Sequence, residues 1–174
     1  MRNRIPSEIV ASILAATTVI ISLPPFNLPP WAVFIGWAGT FAAGGPTKET
    51  FKKIWPAMPM GSLFGFAVVL IESSLLPNFP DSYGIVLQML TIFVVNTILM
   101  YAGHIPMFSF VPGMFFGFAS FFATYFGGWG PDPTNPALAL IAVIIMNFLG
   151  PIYAWLNVKL SFPVNEPEDV HDME

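Results

Sequence analysis

The sequence has no cysteine in 174 residues, only two histidines, and charged side chains at just 9% of positions. Without cysteine there are no disulfides, no thiolate metal sites and no cysteine nucleophile, and the redox compartment is left open. Two histidines, His104 and His171, without a cluster of acidic partners do not compose a metal centre. No HExxH, nucleophile elbow, phosphate loop or c-type haem motif occurs, so the chain is read as a non-enzyme without a cofactor or metal. The six Lys and Arg residues form no patch, which removes nucleic acid as a partner. The net charge of −4 says little about partners, because half of the acidic residues fall in the last nine positions.

A soluble domain carries about 25% charged residues, so this chain cannot cover a water-facing surface. What it has instead is apolar: hydrophobic residues make up 55% of the sequence, and the mean hydropathy is +0.71. The expectation is an all-α integral membrane protein whose partner is the lipid bilayer. Hydropathy marks six segments: Ser7–Leu23, Pro30–Gly44, Trp55–Leu76, Tyr83–Gly103, Pro112–Gly127 and Pro136–Leu156. A helix crossing a ~30 Å hydrocarbon core needs about 20 residues, which leaves the second and fifth segments short. They form one membrane domain over residues 7–160, between an N-terminal end, 1–6, and an acidic mobile tail, 161–174. Met1–Leu23 has no small-x-small cleavage site and is read as the first span rather than a signal peptide.

Orientation follows from the positive-inside rule. With the N-terminus inside, Arg2, Arg4, Lys48, Lys52, Lys53 and Lys159 all fall on the cytoplasmic side, while the opposite loops carry Asp81 and Asp132. This predicts six crossings with both ends cytoplasmic. Trp31, Trp55, Trp129 and Trp155 fall near the predicted interfaces.

One pattern occurs twice. Pro24-Pro25-Phe26-Asn27-Leu28-Pro29-Pro30 precedes Phe34-Ile35-Gly36-Trp37-Ala38-Gly39-Thr40-Phe41-Ala42. Downstream, Pro106-Met107-Phe108-Ser109-Phe110-Val111-Pro112 precedes Phe115-Phe116-Gly117-Phe118-Ala119-Ser120-Phe121-Phe122-Ala123. Three crossings per half is an odd number, so two similar halves (about 7–76 and 83–157) would be inverted about an axis in the membrane plane. Pro30 and Pro112 suit the first turn of a helix, where no amide hydrogen is needed. The lead-ins would then be non-helical, with Asn27 and Ser109 in equivalent places, and together with Pro30, Pro112, Gly36 and Gly117 they are the expected lining of a solute path. The plainer reading makes both lead-ins ordinary interfacial loops.

Gly61-x-x-x-Gly65 and Gly113-x-x-x-Gly117 are small-residue faces, read chiefly as helix packing. Gln88, Thr91, Asn96 and Asn147 are the few polar groups in the slab and are expected to face the bundle interior. Interhelical hydrogen bonding is the first reading for Asn96 and Asn147, solute contact the second. Glu72, about one turn from the outer end of the third segment, and His104, in the turn before the second lead-in, are the expected coupling or vestibule groups.

Ser109-Phe110-Val111-Pro112-Gly113-Met114-Phe115-Phe116-Gly117 resembles the Ser-Phe-Val-Pro-Gly-x-Phe-x-Gly stretch of a family of small bacterial inner-membrane proteins, the domain of unknown function 1097. Trp31-Ala32-Val33-Phe34-Ile35-Gly36 with Phe41-Ala42, and Pro136-Ala137-Leu138-Ala139-Leu140, are similar to that family too. The resemblance covers approximately residues 10 to 158. It implies a polytopic inner-membrane protein and supplies no activity or catalytic residues.

These readings lead to a passive channel or facilitator for a small, largely uncharged polar solute, with a homo-oligomer expected from the small-residue faces. The alternatives are a proton- or cation-coupled carrier, for which Glu72 and His104 would titrate, and a non-transporting accessory subunit of a larger membrane complex.

Overall fold

A computed structural model describes residues 5–161. Arg2, Arg4, His171 and the acidic tail beyond Ser161 lie outside the described residues. Six α-helices follow one another: α1 Ser7–Ile21, α2 Pro30–Ala42, α3 Lys48–Leu75, α4 Gly84–Ala102, α5 Val111–Phe126 and α6 Pro136–Leu160. Short 3-10 turns at Leu76–Asn78 and Asp81–Tyr83 lie between α3 and α4, and one at Pro106–Phe108 between α4 and α5.

The helix starts have local causes. Pro30 opens α2 and Pro136 opens α6, and Pro112 is the second residue of α5. Each supplies a fixed φ where the first turn has no use for an N–H. The Asn135 side chain also caps α6 by accepting from the amides of Ala137 (3.0 Å) and Leu138 (3.3 Å). α3 begins seven residues earlier than its hydropathy suggests, at Lys48 rather than Trp55. Thr47 caps it, accepting from the Thr50 amide at 3.2 Å. Lys48, Lys52 and Lys53 therefore ride on the first turns of a helix and not in a loop. A hydropathy window cannot see a charged helical turn that continues an apolar one.

Three helical stretches are long and apolar enough to cross a membrane: Lys48–Asn78, Asp81–Ala102 and Pro136–Leu160. Ser7–Ile21 and Val111–Phe126 are shorter apolar helices, and α2 has only 13 residues, about 20 Å of rise. The described residues are thus all-helical, and the apolar helices suggest a membrane protein.

Four helices make the centre. α3 packs most closely on α5, and α2 on α6, while α3 and α6 also touch each other. α1 leans on α6, where the hydroxyls of Thr17 and Tyr153 lie 2.9 Å apart. α4 leans on α3. It is the barest element: only Thr91, Val95 and Leu99 are buried along its length. The main core gathers Val33, Trp37, Phe121, Val143, Met146 and Tyr153, and a smaller one gathers Ala57, Leu99, Phe108 and Met114.

Chain direction is fixed by two contacts. Ile5 pairs with Ser161 in an isolated parallel bridge, its amide donating to the Leu160 carbonyl at 3.3 Å. The start of α1 and the end of α6 therefore share one end of the bundle. At the other end the Gly130 amide donates to the Asn27 carbonyl at 2.8 Å, and Trp31 meets Trp129 edge to face at 4.7 Å. The α1–α2 and α5–α6 connections meet there.

Candidate functional site: two glycine crossings and a buried amide

Each short helix brings the glycine of its Phe-x-Gly block against the backbone of a long helix. A Cβ on Gly117 would overlap the carbonyl of Met58, and a Cβ on Gly61, three residues further along α3, would overlap the carbonyl of Met114. A Cβ on Gly36 would come within 2.7 Å of the Asn147 carbonyl, and one on Gly150, three residues further along α6, within 2.5 Å of Gly36 itself. Only glycine lets backbones approach this far, and dispersion and weak hydrogen bonds then hold them. The two crossings share a plan: Gly117 against Met58-x-x-Gly61, and Gly36 against Asn147-x-x-Gly150.

Their polar content differs. At the α3–α5 crossing the Ser62 hydroxyl donates to the Gly117 carbonyl at 2.9 Å, fully buried. At the α2–α6 crossing the residue following the glycine is Pro151. It has no N–H for the Asn147 carbonyl four residues back, and that carbonyl faces Gly36. The Asn147 side chain is 1% exposed, and neither its Nδ2 nor its Oδ1 has a partner. On α5 the buried Ser120 hydroxyl is also unpaired, although its carbonyl accepts from the Thr124 hydroxyl at 2.7 Å. Thr40, on α2, is satisfied by the Gly36 carbonyl at 2.7 Å. An unsatisfied buried polar group costs about 1–3 kcal/mol, so the unpaired groups of Asn147 and Ser120 need an explanation.

The other expected site residues are scattered. Gly36, Gly117 and the packing glycine Gly61 are closed over by helix backbone, and Gly65 chiefly by the Phe121 side chain. Gly113 is closed over by the Phe110 ring and Ala57. Asn27 is half-buried in the loop region, with a positive φ of 47°, and its amide donates to the Gly128 carbonyl at 3.4 Å. Ser109 is exposed and donates to the Pro106 carbonyl of its own turn at 2.9 Å. These two lie at opposite ends of the bundle, beside the starts of α2 and α5, where Pro30 and Pro112 also sit. Asn96 is half-buried on α4. Gln88 departs from the expected inward face: it is exposed, because α4 packs chiefly on α3 and turns most of its surface outward.

Glu72 is half-buried and shares a groove with Gln88. His104 is exposed, with Nδ1 3.1 Å from the Tyr101 carbonyl. It lies sixteen residues beyond Gln88, about 24 Å at helical rise, so Glu72 and His104 do not form a pair. No group of three or more His, Cys, Asp or Glu residues is placed to hold a metal among the described residues. Sequence reasoning passed over Ser62, Ser120 and the Thr17–Tyr153 pair. The one signal available was Pro151 four residues after Asn147, which marks a helix carbonyl freed beside a polar side chain.

The sequence pattern of the family described as protein of unknown function (DUF1097) matches residues 8–161, and the chain belongs to that family. No curated protein and no solved structure matches it.

Proposed function

We propose that the protein is a facilitator for a small, uncharged polar solute in the bacterial inner membrane, with Asn147 as its central contact. The observation that carries this reading is the pair of unpartnered amide atoms on a side chain 1% exposed, next to the crossing of a short helix and a long one. A carboxamide offers two donors and an acceptor, which suits solutes of the urea, formamide or acetamide type. The unpaired Ser120 hydroxyl adds a second polar group on α5. The glycines set helix spacing, and Asn27 and Ser109 belong to the two entrances.

The same proposal takes the molecule as six crossings in two inverted halves with both ends cytoplasmic. Exchanging α1, α2 and α3 for α4, α5 and α6 turns the α2–α6 pair into the α5–α3 pair, and these are the two closest pairs of the fold. The matched glycine crossings support the same exchange. A coupled carrier using Glu72 and His104 together is disfavoured by their separation.

The test is stopped-flow light scattering on proteoliposomes challenged with urea, formamide, acetamide, glycerol and water. Faster entry of one solute than in empty vesicles, lost in Asn147→Leu, is the expected result. No acceleration across the panel, with the protein folded in the vesicles, overturns the reading.

A further inference from the structure

Away from the glycine crossings, a groove of about 280 Å³ runs between α3, α4 and α5, lined by Val68, Glu72, Gln88, Ile92, Phe122 and Phe126. Neither the Glu72 nor the Gln88 side chain has an ion pair or hydrogen bond among the described residues. The described lysines do not reach it: Lys48, Lys52 and Lys53 ride on the far end of α3, and Lys159 lies over the Trp155 ring near the end of α6. Beside the two polar groups, the rings of Phe122 and Phe126 stack at 5.7 Å with 19° between planes.

The chemistry of the lining selects its ligand. An ionised carboxylate only accepts hydrogen bonds, and the carboxamide oxygen accepts as well. The faces of phenyl rings are negative and attract cations. All three features favour a positively charged donor, and an anion would meet the carboxylate. Calcium and magnesium call for six or more oxygen ligands and zinc for at least three protein ligands, more than two side chains beside four apolar ones can give. We propose that this groove binds a primary ammonium group, whose N–H donors reach the Glu72 carboxylate and the Gln88 carbonyl while its methylenes lie against Phe122 and Phe126. Glu72 stands seventeen residues beyond Trp55 on α3, about 26 Å of rise, close to the depth of a second headgroup layer across a ~30 Å core. An ammonium at that depth comes either from an ethanolamine phospholipid or from a dissolved amine. The site is independent of the solute reading for Asn147.

The experiment uses the full chain in two arms. In the first, native mass spectrometry counts the phospholipid retained from an equimolar mixture of phosphatidylethanolamine and phosphatidylcholine, whose trimethylated nitrogen cannot donate. In the second, ethylammonium chloride is titrated while the Gln88 side-chain amide resonance is followed by NMR. Wild type is expected to retain ethanolamine lipid over choline lipid, or to bind ethylammonium saturably, and Glu72→Gln to lose about tenfold in affinity. A lipid preference assigns the site to the headgroup, and a response to ethylammonium alone assigns it to a dissolved amine. Gln88→Leu, on the exposed side of α4, is expected to weaken binding less, and it decides the matter should Glu72→Gln not fold. No response in either arm, or unchanged binding in both variants, overturns the proposal.

Discussion

At the crossing of α3 and α5, Ser62 closes the contact by donating to the Gly117 carbonyl, whereas at the crossing of α2 and α6 the Asn147 amide stays unpaired. Both crossings rest on glycines and both join one short helix to one long helix. In the first, every polar atom brought by Ser62 is used. In the second, Pro151 withholds a hydrogen bond from the helix and Asn147 adds two polar atoms with no partner. A membrane interior offers no water to repair such a deficit. The first crossing thus has the chemistry of a permanent joint, and the second keeps unpaired polar atoms that the proposed function assigns to a solute.

Breaking the first crossing should have the largest effect. Gly61→Ala or Gly117→Ala drives a methyl group into backbone carbonyls that cannot swing aside. We expect a loss of about 3 kcal/mol or more, read as early thermal unfolding in detergent. Gly36→Ala and Gly150→Ala meet looser contacts and should cost about 1–3 kcal/mol. Equal losses at the two crossings would remove the contrast in tightness.

Asn147→Leu sharpens the contrast in the opposite direction. It removes the unpaired amide and keeps a branched side chain, so thermal stability should hold or rise by about 1–2 kcal/mol while solute entry is lost. A marked fall in stability would mean that the amide is already paired in the membrane. Ser62→Ala deletes one satisfied hydrogen bond and should cost about 1 kcal/mol by the same unfolding assay, leaving solute entry unchanged.

The smallest effect belongs to the loop after α5, near the α2–α6 end of the contrast. Hydrogen bonds from the Thr134 hydroxyl and amide hold the exposed Asp132 carboxyl below its ordinary range. A group lowered in this way contributes stability above its unfolded pKa and loses it as pH falls through the folded value. The order of this turn should therefore fade only below about pH 4. A small change in indole emission from Trp129, absent in Asp132→Asn, is the expected readout.

Much of the fold could be read directly from residues. The prolines mark the starts of α2 and α5, and the Phe-x-Gly blocks mark where those helices meet their partners. Hydropathy could not place the start of α3, where Thr47 and Lys48 extend an apolar helix with a charged turn. It could not orient Gln88 either, because a polar residue turns inward only where a neighbouring helix covers it, and α4 is covered chiefly by α3 alone. The site was legible to the extent that Asn147 stood out as a polar residue in a greasy helix. Its lack of partners depends on Pro151 and on which groups Gly36 and Gly150 bring near, and those are properties of two segments far apart in sequence. Ser62 was overlooked for a related reason: a serine in an apolar run is unremarkable until the carbonyl it reaches is known.

The bridge between Ile5 and Ser161 has a topological consequence. The two ends of the helical domain lie side by side, so a short linker would join them without disturbing a helix. The chain could then be opened between Asn78 and Asp81, where two 3-10 turns meet on exposed residues. Such a circular permutant would present the second half first and keep every interhelical contact, making the order of the halves separable from the fold they build.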